Sequence, residues 1–494
     1  MFKRLYKSLE DHASNVAFCI DDNFYTYGEL SAVVANIRTL IRENISRNEQ
    51  ITALVAHNDV ETYASILALW FEGKAYLPLL PSNPQKRNEN ILRQANIKYA
   101  LSSSAEENME NICFLHTKNI SDNPVTEQPK DISDTAFAYI LFTSGSTAVP
   151  KGVPVSRGNI SAFVHAFDAL DSGMTSRDKC LQMFDLTFDM SIIAFLTALL
   201  HGAAVYTLPP VKAKYAYAIK LMHENELTVA VMVPSVINYL SSYFDQIYCP
   251  AMRYNLFAGE ALMKDTLIGW KKCIPNARID NAYGPTETCI ICSYYTIPSP
   301  PQQALSHNGL LSIGKPMKGT EMIIADENGQ ALPAESKGEV CISGKQVFSG
   351  YFKDEEKNKT VFFKRDNITC YRSGDMAFSN EEGYFFFLGR KDFQIKIDGY
   401  RIDLLEIEHH IRTITDNRYL VSVVSFAGNT NHGIGVAIKS EPFDTKELME
   451  QLKLLLPKYM IPSRFVFLPE MPLNNNGKID KQALQSLLET CRNK

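Results

Sequence analysis

Through the first four hundred residues, short continuous apolar runs alternate with longer stretches whose apolar positions recur every three or four residues. The runs at 50–55, 137–142, 227–233 and 254–257 are strand-length. The stretch 159–170 sets Ile160, Phe163, Val164, Phe167 and Leu170 at helical spacing. Strands that alternate with helices demand crossover connections, which predicts an α/β fold with mostly parallel sheets flanked by helices. The longest apolar stretch, SIIAFLTALLHGAAVYTL at 191–208, approaches the length of a membrane span. His201-Gly202 divides it into a helix-like and a strand-like half, so it reads as buried α/β core. A polar stretch, 102–134, reads as a surface excursion.

A chain of 494 residues, 45% of them hydrophobic, exceeds what one compact core accommodates, so at least two domains are expected. The pattern changes near Gly389. YFFFL at 384–388 reads as a strand and GRKD follows it. Beyond come 396–402, a hairpin across 420–438, and a helix at 445–456 stopped by Pro457. These features predict a large N-terminal domain, 1–391, and a small α+β C-terminal domain, 392–494. The short polar junction Lys391-Asp392 makes Asp392 the candidate hinge.

A net charge of −5 gives no sign of a nucleic-acid face, and MFKRLYKSLEDHASN at the start lacks the apolar core of a signal peptide. The expectation is a cytoplasmic protein without membrane insertion. Ten cysteines are scattered, with one CxxC at Cys289 and Cys292. A zinc site would require a second pair or histidines at ligand spacing, so the cysteines read as small buried hydrophobes of a reduced protein.

The segment 139–160, YILFTSGSTAVPKGVPVSRGNI, ends an apolar run in hydroxyls and glycines and sets a strand-to-helix loop. The nucleotide-binding P-loop requires Lys followed by Ser or Thr after its second glycine. Here Lys151 follows a proline and precedes a glycine, so that pattern fails. The chemistry is nevertheless similar. Thr143, Ser144, Ser146 and Thr147 offer hydroxyl donors, Gly145 permits close backbone approach, and Lys151 adds a cation, a set suited to polyphosphate oxygens. Taken alone, the stretch is as readily a polar surface turn.

TSGST-x-x-PKG resembles the phosphate loop of the adenylate-forming superfamily, which includes acyl-CoA synthetases, luciferases and the adenylation domains of peptide synthetases. Further segments resemble that superfamily's motifs in the same order: YTYGEL at 25–30, GKAYLPL at 73–79, NAYGPTE at 281–287, GEVCISGKQVFSGYF at 338–352, YRSGD at 371–375, GRKDFQIKIDGYRIDLLEIE at 389–408, LPKYMIP at 456–462 and NNNGKID at 474–480. The resemblance covers essentially the whole chain. One departure is Ala148, which stands where the family usually has a third loop glycine.

The resemblance implies a two-step reaction in which a carboxylate attacks the α-phosphorus of ATP and a thiol then takes the acyl group. It places ATP against Thr143, Ser144, Gly145, Ser146, Thr147, Lys151, Asn281, Ala282, Tyr283, Gly284, Thr286, Asp375 and Arg390. Tyr283 would offer a flat face to adenine, Asn281 would bond the base edge, and Thr286 would donate to the α-phosphate. Glu287 would be the Mg²⁺ ligand, as a hard oxygen donor. Asp375 would grip the ribose hydroxyls, and Arg390 would touch ribose or phosphate. Lys478, on the mobile C-terminal domain, would lie between the two anions that must meet. Thr286, Glu287 and Lys478 are thus the catalytic candidates, and rotation at Asp392 would admit the thiol. Each residue has a plainer reading: a Gly-Pro turn with an exposed Glu, a turn Asp, a surface salt bridge, a solvated lysine.

In amino-acid-activating members an aspartate after Phe binds the substrate ammonium. FDLTFDM supplies Phe184, Asp185 and Leu186. Asp185 argues for an amino acid, since a buried carboxylate facing an apolar acid would be left unpaired. The alternative is a helix N-cap. The family pattern adds Asp189, Val231, Leu256, Ala258, Ala282, Ile290 and Ile291 as pocket positions, mostly small or aliphatic. The FDL start, LFAGE at 256–260 and GRKDFQIK look most like free-standing ligases that load D-alanine onto a carrier protein. The implied partner is a separate peptidyl or D-alanyl-type carrier bearing phosphopantetheine. The alternatives are an acyl- or aryl-CoA synthetase using free coenzyme A, and a non-catalytic nucleotide-binding member.

Overall fold

The computed structural model describes residues 1–119, 123–144, 150–209, 213–392, 394–427, 432–473 and 479–490. The chain divides into two compact units. The first comprises Met1–Leu80, Ala95–Leu141 and Gly152–Lys391. The second gathers Pro81–Gln94, Phe142–Lys151 and Asp392–Lys494. The principal cut therefore falls between Lys391 and Asp392, and two short earlier segments group with the tail.

The largest sheet has nine strands. Six of them run parallel: Arg278–Tyr283, Tyr254–Phe257, Val229–Met232, Lys179–Gln182, Ala204–Thr207 and Val16–Ile20. Antiparallel strands close both edges, Asn23–Thr26 on one side and Ser293–Thr296 with Lys315–Pro316 on the other. A second sheet orders Cys113–His116, Tyr99–Ser102, Ile51–Val55, Ala75–Leu79, Phe137–Thr143 and Lys151–Ser156. Helices Val60–Phe71 and Met190–Leu200 are buried nearly all round, as expected for helices that are apolar on every face. One continuous core includes Tyr76 and Tyr139 of the second sheet with Leu181 and Val205 of the first. The third sheet is antiparallel and carries Gly338–Gly344, Ile368–Ser379 and Phe385–Arg390.

The stretch 191–208 is core, as expected. Helix Met190–Leu200 and strand Ala204–Thr207 meet at Gly202, whose φ is +72°. A Cβ there would lie 2.4 Å from the His12 ring, so only glycine makes the corner. No helix among the described residues is long and apolar enough to cross a membrane.

Three local expectations are corrected. The segment from 144 to 150 does not lead from a strand into a helix: the strand Lys151–Ser156 intervenes before helix Arg157–Asp168. The apolar positions Val153 and Val155 alternate, and each is fully buried. The polar excursion 102–134 contains a strand, Cys113–His116, parallel to Tyr99–Ser102. The strand at YFFFL begins at Phe385 and continues through Gly389 to Arg390, because its register against Ile368–Ser379 extends to the pair Asp375–Arg390.

In the second unit, the hairpin Gln394–Ile397 and Tyr400–Asp403 leads into helix Leu404–Ile414, where the Asp403 carboxylate accepts from the Leu405 N–H at 3.1 Å. A three-stranded sheet, Leu420–Ala427, His432–Lys439 and Arg464–Leu468, is covered on both faces. Val421 and Val423 join the cluster of Ile407, Ile411 and Leu452, while Val424 and Phe426 join Leu484 and Leu488. That split is the two-residue period of a strand seen directly.

Candidate functional site

Four strands of the nine-stranded sheet, Lys179–Gln182, Val229–Met232, Tyr254–Phe257 and Arg278–Tyr283, lie side by side and parallel. Their carboxyl ends therefore share one edge, where open α/β sheets bind ligands. Parallel pairing brings together residues about a hundred positions apart. Phe184, Asp185 and Leu186 follow the first strand, Val231 is next to last in the second, Leu256 is next to last in the third with Ala258 just beyond it, and Asn281, Ala282 and Tyr283 end the fourth. Phe184, Leu186, Val231, Leu256, Ala258 and Ala282 are all buried. Gln182 brackets Phe184: its Oε1 accepts from the Phe184 N–H and its Nε2 donates to the Phe184 carbonyl, each at 3.1 Å.

After Tyr283 the chain loops out and returns as Ser293–Thr296, pairing Tyr283 with Ser293. A single 3₁₀ turn, Thr286–Thr288, sits in this loop, and Thr286 is half-buried. Gly284 packs against the chain just before the returning strand: a Cβ would lie 2.5 Å from the Ile291 Cα and 2.7 Å from the Ile290 carbonyl oxygen. Cys289 and Ile290 have φ of +58° and +79°. A β-branched residue in that region is strained, and such strain persists only where surroundings impose it. Gln346 does so here. Its buried Nε2 donates to the Ile291 carbonyl at 2.8 Å and the Thr288 carbonyl at 3.3 Å. Ile290 and Ile291 are thereby held in the core.

Tyr283, Asp375 and Arg390 form one constellation. The Tyr283 hydroxyl donates to Asp375 Oδ2 and Arg390 to Asp375 Oδ1, each at 2.6 Å. Asp375 and Arg390 are opposed on neighbouring strands, so sheet register sets the pair. Burial, and then the Asp375 charge, raise the Tyr283 phenol well above its ordinary range, so it stays a donor. Ser373 supports the corner: its hydroxyl accepts from the Asp375 N–H at 3.0 Å, and its carbonyl accepts from Arg390 at 3.3 Å. Nearby in the strand, Asn281 Nδ2 donates to the Ser312 carbonyl at 2.8 Å. Asn281 Oδ1 is buried and has no hydrogen-bond partner among the described residues. An acceptor so placed is one that a ligand's donor can satisfy.

Glu287 is fully buried and accepts from the Tyr351 hydroxyl at 2.7 Å. Among the described residues there is no group of three or more His, Cys, Asp or Glu side chains able to hold a metal. A single carboxylate still fits Mg²⁺, which is held by one or two carboxylates with phosphate and water completing its shell. Cys289 and Cys292 are buried, and burial pushes the Cys292 thiol up to about 12.

Asp185 does not cap the apolar helix. The cap residue of Met190–Leu200 is Asp189, and even that side chain makes no capping hydrogen bond. Asp185 is half-buried in the turn, and its carbonyl accepts from the Phe188 N–H at 2.9 Å. Asp189 is buried, and its charge helps to raise the phenols of Tyr76 and Tyr139 and the thiol of Cys289, in each case after burial itself. Tyr139 and Cys289 approach to 3.7 Å. The Tyr76 hydroxyl is buried with no partner among the described residues.

In the second unit, Thr143 closes the strand Phe137–Thr143 and Lys151 opens the strand Lys151–Ser156. The Ser144 hydroxyl donates to the Arg401 carbonyl at 2.7 Å and accepts from the Asp403 N–H at 3.0 Å. Arg87 and Glu406, both buried, pair at 2.7 Å. Asp392 accepts from the Gln394 N–H at 3.2 Å. Gly145, Ser146, Thr147, Ala148 and Lys478 lie outside the described residues.

The structure adds residues that sequence reasoning did not single out: Tyr351, Tyr371, Ser373, Gln346, Ser312, Tyr76 and Tyr139. Tyr351, Tyr371, Ser373 and Gln346 lie inside the motif segments 338–352 and 371–375, so the signal was present without a role attached. Tyr76 likewise lies in the motif segment 73–79 and Tyr139 opens the segment 139–160, whereas Ser312 carried no such signal.

Sequence similarity, joined to this arrangement of strand ends, makes the chain an AMP-forming ligase. The chain belongs to the AMP-binding enzyme family, whose sequence profile matches residues 5–352. It is 30% identical over 510 residues to a D-alanine–D-alanyl carrier protein ligase of Lactiplantibacillus plantarum, spanning 98% of this chain and 99% of the relative. It is 28% identical over 501 residues to tyrocidine synthase 1 of Brevibacillus parabrevis, spanning 98% of this chain and 45% of that protein. Its fold matches the Vibrio cholerae adenylation domain AlmE, solved with glycyl-adenosine-5'-phosphate, at a TM-score of 0.86 and 23% identity over 99% of this chain and 97% of the other.

Proposed function

We propose that this ligase activates an amino acid as its adenylate with ATP, then passes the acyl group to the phosphopantetheine thiol of a separate carrier protein in the cytoplasm. One observation carries the reading. The strand Arg278–Tyr283 ends with Tyr283 and Ala282 in different cores: Tyr283 packs with Ile313, Val340 and Phe385, whereas Ala282 packs with Leu256, Ile290 and Ile291. Alternation along one strand thus gives two adjoining faces, one suited to a nucleoside and one to a small acid. Two reactants held against one strand end are held in reacting order.

On the nucleoside face, Asn281 Oδ1 accepts from the adenine amino group, Tyr283 stacks on the base, and the remaining lone pairs of Asp375 accept from the ribose hydroxyls. Arg390 keeps Asp375 oriented. Gly284 adjoins this face through its backbone while packing against Ile290 and Ile291 of the acid face, and Thr286 donates to the α-phosphate. Thr143, Ser144, Gly145, Ser146, Thr147 and Lys151 hold the outer phosphates. Glu287 gives the metal its oxygen from the chain; Mg²⁺, when bound, neutralises phosphate charge.

On the acid face, Asp185 accepts from the substrate ammonium. Phe184, Leu186, Asp189, Val231, Leu256, Ala258, Ala282, Ile290 and Ile291 bound the side chain. The substrate carboxylate oxygen then attacks the α-phosphorus, the bond to the β-phosphate oxygen breaks, and pyrophosphate leaves. Lys478 lowers the repulsion between the two anions. In the second step the carrier thiolate attacks the acyl carbon and AMP leaves, after Asp392 has let the C-terminal domain turn.

The test is ATP–pyrophosphate exchange across L-, D- and β-amino acids, fatty acids and aryl acids. Amino acids should support exchange, and Asp185→Ala should remove the advantage of an amino acid over its des-amino analogue. Exchange driven best by a fatty or aryl acid, and indifferent to Asp185→Ala, would replace this reading with a CoA synthetase.

A further inference from the structure

We infer that Tyr351 is a positioning residue for the metal step, orienting the Glu287 carboxylate through its phenolic hydroxyl. The inference rests on the reading of Glu287 as the Mg²⁺ ligand. Glu287 sits in a single 3₁₀ turn, too short to fix a long side chain by itself. The segment 348–352 grips it at both ends. The Phe348 N–H donates to the Glu287 carbonyl at 2.8 Å, and the Tyr351 hydroxyl donates to its Oε1 at 2.7 Å.

Tyr351 is itself held rigidly. Asn358 brackets its backbone: the Tyr351 N–H donates to Asn358 Oδ1 at 2.7 Å, and Asn358 Nδ2 donates to the Tyr351 carbonyl at 3.1 Å. Phe348 packs edge-on to both Tyr351 and Tyr371, with ring centroids 5.0 and 5.3 Å away. The Tyr371 hydroxyl lies 3.3 Å from that of Tyr351, so the donor is oriented as well as placed. The next residue, Phe352, donates its N–H to the Gly152 carbonyl at 2.9 Å, tying the clamp to the strand that Lys151 opens.

A phenol has the right properties for this task. It restrains one carboxylate oxygen, yet it brings no positive charge and so does not neutralise the ligand. Hydrogen-bond donors behind a metal-binding carboxylate set its direction, and losing one typically weakens metal affinity about 10- to 100-fold. Tyr351→Phe removes only the hydroxyl and keeps the packed ring.

The experiment uses the full chain and titrates Mn²⁺ by electron paramagnetic resonance in the presence of α,β-methylene-ATP, alongside adenosine affinity and the Mg²⁺ dependence of pyrophosphate exchange. Tyr351→Phe should weaken Mn²⁺ roughly tenfold. Adenosine affinity should hold, and exchange should return to near wild-type rate at saturating Mg²⁺. Asn358→Ala, which keeps the phenol and loosens its backbone, should shift Mn²⁺ the same way by less, and it decides the matter should Tyr351→Phe not fold. Glu287→Gln should lose the metal outright. Wild-type Mn²⁺ affinity in Tyr351→Phe beside a loss in Glu287→Gln overturns this inference and leaves the Glu287 reading standing. Adenosine affinity falling in step with Mn²⁺ overturns it as well. Wild-type metal affinity in Glu287→Gln removes the reading beneath it.

Discussion

Asp375→Asn is the most informative single change to the nucleoside face. Both carboxylate oxygens of Asp375 are already engaged, one by Tyr283 and one by Arg390, at 2.6 Å each. An ionised carboxylate has about four lone-pair positions, so two remain for the ribose hydroxyls. An asparagine offers one acceptor oxygen, and its amide nitrogen must face a donor, either the Tyr283 hydroxyl or the Arg390 guanidinium. One ribose bond is then lost and the other becomes neutral. Charge-assisted bonds contribute about 1.5–3 kcal/mol each and neutral ones about 1 kcal/mol. The net loss is about 2–5 kcal/mol, or roughly thirty- to several-thousand-fold in AMP affinity at 1.4 kcal/mol per decade. Titration calorimetry with AMP, adenine and 2′,3′-dideoxyadenosine reads this directly. Adenine and the dideoxynucleoside should bind wild type and variant alike. If the dideoxynucleoside shows the same loss as AMP, Asp375 acts only by holding Tyr283 in place, and the ribose argument is wrong.

Lys478→Ala should slow pyrophosphate exchange by about 2–4 kcal/mol of barrier while AMP affinity stays near wild type; adenylate formation at wild-type speed would end that role. Asp392→Pro should spare exchange and depress thioester formation, and equal loss of both would place the hinge elsewhere. Gly284→Ala sets a methyl against the Ile290 and Ile291 backbone, an overpacking of about 1–3 kcal/mol, and should lower thermal stability and acid binding together. An unchanged melting temperature would refute that packing. Burial, with lesser contributions from His409 and Arg87, depresses the His410 imidazole from 6.5 to about 4. The unfolded chain therefore binds the extra proton between those values, so stability falls as pH drops from about 6.5 towards 4. His410→Gln should lose less stability than wild type across that window in urea denaturation, and parallel curves would show that His410 titrates normally.

The AMP-forming ligase class was legible from the chain because its evidence is local. A strand followed by hydroxyls and glycine, a Gly-Pro turn before Glu287, and Asp375 after Gly374 each keep their meaning within a few residues. The α/β architecture was legible for the same reason, since strand-length apolar runs and helical periodicity are properties of short windows. Even the helix–strand corner at Gly202 followed from one dipeptide.

Other features depended on register. A helix N-cap was the plainer reading of Asp185 in sequence, but the helix begins one turn later, with Asp189 at its cap. The strand Lys151–Ser156 was hidden because Gly152 and Pro154 interrupt its apolar alternation and Ser156 passes directly into the helix as its cap. The partners of Asp375 come from Tyr283, ninety-two positions earlier, and from Arg390 across a sheet. The Tyr351 hydroxyl reaches Glu287 over sixty-four positions. A side chain's chemistry is written at its own position, whereas its hydrogen-bond partner is set by which strands pair and in what register. For this protein, sequence alone therefore determined which groups are present, and the tertiary structure decided which of them hold one another in place.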